Sequence, residues 1–149
     1  ILSLVFLGYE LHQTRKQSEL NNWRQLLDTL VAYKGLTHEA ELADLVRRGH
    51  LDYGALSAAD QWRFGLYLEQ GIHIYGNFVK HNDSLPRKLV GLDDAVCNYI
   101  NEMLTTPGGA AWWQENRAKG HFMPSTYKMI DTFIARGVVD TDHKSPPPG

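Results

Sequence analysis

Seven histidines, at positions 12, 38, 50, 73, 81, 121 and 143, are the side chains of this sequence best suited to ligate a metal ion or move a proton. Glu69 and His73 stand four apart, so on a helix they share a face one turn from each other. Two ligands do not make a metal site, and His81, Asp83 and His121 are the groups the fold would have to bring in. The Glu-x-x-His pairs of di-iron bundles and the His-Glu-x-x-His of zincins are both missing from the sequence. A structural pair is therefore the stronger reading, and a metal or small-ligand centre on Glu69, His73, His81 and His121 the weaker one. His38, His50 and His143 read as cap, loop and tail residues.

Other chemistry is thinly represented. Cys97 is the single cysteine and has no neighbouring base in sequence to activate it, so it reads as a small buried hydrophobe. Asp93 and Asp94 fall at the start of a helical segment, where the helix dipole favours negative charge. There is no glycine-rich phosphate loop after a strand and no serine elbow. No catalytic residue is assigned, no cofactor is expected, and an enzyme is the minority reading. Trp112 and Trp113 are a different kind of candidate. Adjacent residues on a helix point about 100° apart, so one indole is expected in the core and the other near the surface, as an anchor for a partner or for lipid headgroups.

The elements that must position these residues are helical. The chain has 149 residues, enough for one domain with a real core, and a net charge of −2 from 15 basic and 17 acidic residues. That balance creates no field to draw nucleic acid. One cysteine rules out an internal disulfide and suits a reducing compartment. Apolar spacing of three and four predicts a first helix over 3–33, ended by Gly35, with Leu20, Trp23, Leu26, Leu27, Leu30 and Val31 repeating along it. A second follows over 39–48, with Thr37 as N-cap and Leu42, Leu45 and Val46 on one face. Ser57 and Asp60 form a variant capping box for a long central third helix. Along it step Trp62, Leu66, Glu69, Ile72, His73 and Val79, with Phe64, Tyr67, Leu68, Tyr75 and Phe78 widening the apolar sector. Gly65, Gly71 and Gly76 lower its helix propensity, so close backbone packing is expected there. The stretch "HNDSLP" breaks it, and a fourth helix is expected over 88–104. Thr106 and Pro107 open a fifth, Gly120 closes it, and Pro124 opens a sixth that reaches Gly137. The tail 138–149 is polar and proline-rich, with the composition of a disordered end.

The front of the chain decides placement. In "ILSLVFLGY" nearly every residue is apolar, yet nine residues make only about 14 Å of helix against roughly 30 Å of hydrocarbon. Ile1, Leu2, Leu4, Val5, Phe6, Leu7 and Tyr9 are expected to contact the membrane. Arg15 and Lys16 follow the apolar run, which is the order of a membrane helix leaving the bilayer and the reverse of a secretory signal. By the positive-inside rule the C-terminal side is cytoplasmic, and Arg15 and Lys16 join Trp112 and Trp113 as expected partner-binding residues.

Three phrases together resemble a family of bacterial single-pass inner-membrane proteins: "SLVFLGYELHQTRKQ" at 3–17, "TPGGAAWW" at 106–113 and "FMPSTY" at 122–127. The resemblance covers most of residues 1–136. It implies topology and no chemistry: a short lead, a transmembrane helix, then a helical domain. On that reading the lead and most of the membrane helix stand before Ile1. The expectation is an all-α protein, an N-terminal transmembrane helix, truncated in this chain, continuing into a helical bundle of about five helices. Residues 1–17 are the end of the membrane helix and its basic collar, 18–137 a cytoplasmic bundle, and 138–149 the tail. Such a chain is expected in the inner membrane as a non-enzymatic accessory or scaffolding subunit. Its expected partners are lipid and either the subunits of a larger respiratory, photosynthetic or transport complex or further copies of itself.

Overall fold

A computed structural model describes residues 2–140. Ile1, His143 and the part of the expected tail from 141 to 149 lie outside the described residues. Six α-helices run in the order α1 (Leu2–Gly35), α2 (Ala40–Leu51), α3 (Ala58–Ser84), α4 (Leu92–Leu104), α5 (Pro107–Arg117) and α6 (Pro124–Arg136), and no strand occurs among the described residues.

Central in the core is α3. Phe64, Leu68 and Ile72, four apart, are all fully buried, and Tyr75 and Phe78 continue the same stripe. Against it lie α4, through Val96, Cys97 and Ile100, and the inner half of α1. α6 closes over α4 with Ile130 and Phe133, and α5 packs across α2. Five helices and the second half of α1 thus share one core.

The caps explain the boundaries. Ser57 Oγ accepts from the Asp60 amide at 3.2 Å and Thr106 Oγ1 from the Gly109 amide at 3.1 Å, so α3 and α5 begin where their hydroxyl caps stand. Thr37 is not a cap: its hydroxyl donates to the Lys34 carbonyl at 2.8 Å within a single 3-10 turn, and α2 begins after Glu39 instead. The "HNDS" segment belongs to α3, which ends only at Ser84. α4 starts later than its apolar spacing implied because Gly91, at φ 80°, turns the chain in a left-handed conformation just before Leu92.

Two of the three glycines of α3 serve close approach. A Cβ on Gly65 would stand 2.7 Å from Trp112 Nε1, and one on Gly71 would strike the Tyr33 hydroxyl and Met103. Gly76 has ordinary clearance, 3.9 Å from Met129. Trp62 departs from the core stripe altogether and is 68% exposed.

The two ends of α1 differ. Trp23, Leu26, Leu30 and Tyr33, spaced three, four and three apart, face the bundle. Tyr33 stacks on Tyr67 with ring centroids 4.8 Å apart and donates to the Tyr67 carbonyl at 3.1 Å, while Trp23 meets Phe78 edge-on at 5.6 Å. Partner numbers rise along α3 as they fall along α1, so the two helices are antiparallel. From 3 to 18 every residue is exposed. At about 1.5 Å per residue those sixteen residues project roughly 24 Å beyond the packed part. No helix among the described residues is long and apolar enough to cross a membrane.

Candidate functional site

The projecting part of α1 carries the largest run of exposed apolar side chains. Leu4, Val5, Phe6, Leu7 and Tyr9 are 51–71% exposed, and Leu11 extends the run. They encircle the helix, so no rotation of α1 could bury them all against the bundle. Arg15 and Lys16 follow, exposed, and make no ion pair among the described residues. Leu2 belongs to the same helix.

The histidines do not gather. His73 Nε2 stands 3.9 Å from Glu69 Oε1, beyond hydrogen-bond reach, with both side chains partly in solvent. The His73 ring instead packs on Phe122 at 5.0 Å, in a groove between α3 and α6 of about 390 Å³. His81 stacks on Trp23 at 5.8 Å, at the α1–α3 contact. Glu69 and His121 line a third depression with Tyr53, Trp62 and Trp112. Asp83 is held by Lys88 at 2.7 Å. Among the described residues no group of three or more His, Cys, Asp or Glu side chains could hold a metal ion.

Both tryptophans of the "TPGGAAWW" segment are buried, Trp112 to 3% and Trp113 to 7% exposure. The expected division between core and surface is corrected, and the reason is a second layer of chain over α5. Phe122 and Tyr127 cover Trp113 with ring centroids 5.9 Å away in each case, and the Arg117 guanidinium lies 5.7 Å from its ring. Arg117 is in turn fastened to Asp131 of α6, whose carboxyl it holds below the usual carboxylate range. The glycines ahead of the tryptophans have a packing role too. A Cβ on Gly108 would overlap the Gly49 carbonyl of α2, and one on Gly109 the Met103 carbonyl of α4. The motif is thus a crossing point of three helices.

Beside this crossing His50 Nδ1 lies 2.7 Å from the Thr106 hydroxyl that caps α5, with the His50 ring edge-on to Phe64. Burial pushes the imidazole below its ordinary value, and the nearby Glu102 carboxylate only partly opposes this. Cys97 is fully buried, its thiol raised chiefly by that burial, and its Sγ lies 3.4 Å from the Gly137 carbonyl. Asp94 is paired with Arg136 at 2.6 Å, which ties the start of α4 to the end of α6.

Periodicity along the chain missed two exposed apolar features. Trp62 and Leu66, one turn apart on α3, form an outward strip at 68% and 45% exposure. They lie two positions off the stripe of Phe64, Leu68 and Ile72, which was the available signal. Leu89 and Val90, in the α3–α4 loop, are 43% and 98% exposed. Comparison with protein-family models, with curated proteins and with solved structures finds no match to this chain.

Proposed function

We propose that this chain is a non-enzymatic, membrane-anchored accessory subunit whose helical bundle docks on a larger membrane protein complex. The observation that carries the reading is the apolar, unpacked start of α1. A segment that exposes Leu4, Val5, Phe6, Leu7 and Tyr9 on all sides is at odds with water and suited to lipid or to a membrane subunit. The order of apolar run, Tyr9, then Arg15 and Lys16 matches a helix leaving hydrocarbon through the interface. The bundle then stands on the positive, cytoplasmic side of the inner membrane. The strip of Trp62 and Leu66 supports the docking part, because an exposed indole flanked by a leucine is a common interface anchor.

Solubilising membranes in mild detergent and identifying what co-purifies tests the docking. A defined set of membrane subunits in constant ratio is the expected result. A clean monomer that brings nothing with it sinks the accessory reading, and a homo-oligomer alone replaces it with self-association. A phosphatase fused after Gly149 is expected to be inactive; activity would place the bundle on the opposite side.

A further inference from the structure

We propose that the α3–α4 loop, "LPRKLVG" at 85–91, is a second membrane contact that rests on anionic lipid headgroups beside the projecting helix. The inference rests on the membrane-anchored reading above and adds a surface to it.

Placement comes first. α1 and α3 are antiparallel, with Tyr33 on Tyr67 and Trp23 on His81, so the C-terminal end of α3 points the same way as the free start of α1. The loop leaves α3 after Ser84, at the end of the bundle from which α1 projects. Arg15 and Lys16 lie seven or eight residues along α1 from Trp23, about 11 Å at the helical rise. That distance is within the reach of a seven-residue loop with long basic side chains.

The chemistry fits that position. Val90 is 98% exposed and Leu89 43%, next to Arg87 and Lys88. Arg87 makes no ion pair among the described residues, whereas Lys88 is held by Asp83 at 2.7 Å. Across 10–19 and 83–93, Arg15, Lys16, Arg87 and Lys88 balance Glu10, Glu19, Asp83 and Asp93. Lys88 takes up Asp83 and Asn82 holds Asp93, which leaves Arg15, Lys16 and Arg87 to meet headgroups, and apolar tips flanked by cations are what a headgroup layer accepts.

The loop is also held in shape. Asn82, 1% exposed at the end of α3, accepts from the Leu89 amide at 2.7 Å and donates to Asp93 at 3.1 Å. This buried clasp joins the end of α3, the loop and the start of α4. Leu89 and Val90 are presented to solvent by an ordered backbone, so contact with lipid need not order the loop.

Native Cys97 is fully buried and stays out of reach of a thiol dye, so single cysteines introduced on the surface can be labelled in the full chain. Leu7→Cys, Val90→Cys and Leu51→Cys, each carrying an environment-sensitive fluorophore, are mixed with vesicles of phosphatidylcholine containing phosphatidylglycerol. Blue-shifted emission is expected at 7 and 90 and none at 51, at the far end of the bundle. Adding Arg87→Gln and Leu89→Ser is expected to weaken the change at 90 about fivefold. A shift at 7 without one at 90 overturns the loop contact and leaves the anchor standing. No shift at either position overturns both. An equal shift at 90 on phosphatidylcholine alone overturns the anionic component, and a shift there only on native membranes assigns the loop to a protein partner instead.

Discussion

Asn101 holds α4 to α6 through a single amide. Its Nδ2 donates to the Phe133 carbonyl of α6 at 2.8 Å and to the Cys97 carbonyl at 2.9 Å, and the residue is 2% exposed. Asn101→Ala removes this donor and leaves a small void, while the Phe133 carbonyl keeps the Gly137 amide at 3.0 Å. A loss of about 1–3 kcal/mol is expected, read as a lower denaturant midpoint at unchanged slope. An unaltered midpoint would show that water replaces the amide. His50 sets a pH dependence. Its folded-state pKa lies below the ordinary 6.5 because burial disfavours the charged ring, so on acidification the unfolded chain takes up the proton first. Its contribution to stability is therefore fully present above about pH 6.5 and declines as the pH falls from there through the folded-state value. His50→Gln is expected to flatten that part of the stability profile, measured by thermal melts between pH 7.5 and pH 5. An identical slope in the variant would move the effect to other groups.

The helices meet at distances that only small residues permit. At the α2–α5 crossing Gly108 lies against the Gly49 carbonyl, and Gly49 in turn leaves room for the Phe64 ring. Gly108→Ala would set a methyl group against backbone, which no rotamer change relieves. Destabilisation of about 3 kcal/mol or more is expected, with Ala110→Ser, at an exposed site on the same helix, close to neutral. Equal melting temperatures for the two variants would show that the crossing can open. α1 makes a contrasting prediction. Its packed half is anchored through Trp23, Leu26, Leu30 and Tyr33, while 3–18 has only its own backbone hydrogen bonds among the described residues. A helical segment of that length is marginal in water. Hydrogen exchange is expected to be fast from 3 to 18 and slow from about Trp23 onward in aqueous buffer, with protection extending to Leu4 when anionic vesicles are added. Unchanged exchange in the presence of vesicles would count against lipid contact.

At the scale of the molecule, a bundle built around α3 carries one helix that outruns it, and the functional proposal depends on that asymmetry. The helical class, the six segments and the hydroxyl caps at Ser57 and Thr106 were legible in the sequence, because apolar spacing of three to four and capping chemistry are local properties. The burial of Cys97 followed from its residue type, and the inward face of α1 only in part: Trp23, Leu26 and Leu30 face the bundle with Tyr33, whereas Leu20, Leu27 and Val31 of the same spacing are exposed. The N-terminal apolar run and the Arg15 and Lys16 that follow it stand in the sequence itself, and the structure adds that residues 3–18 are exposed. Tertiary structure decided the rest. It placed His73 and His81 in separate grooves and Glu69 with His121 in a third, because helical spacing sets which residues share a face but not which faces meet. It buried both Trp112 and Trp113, because the segment that covers Trp113 arrives from Phe122 and Tyr127, beyond the end of α5. It turned Trp62 outward and placed Leu89 and Val90 at the end of the bundle from which α1 projects. Each of these depends on contacts between residues far apart in the chain, and such contacts are set by how whole helices pack, which no local pattern of residues encodes.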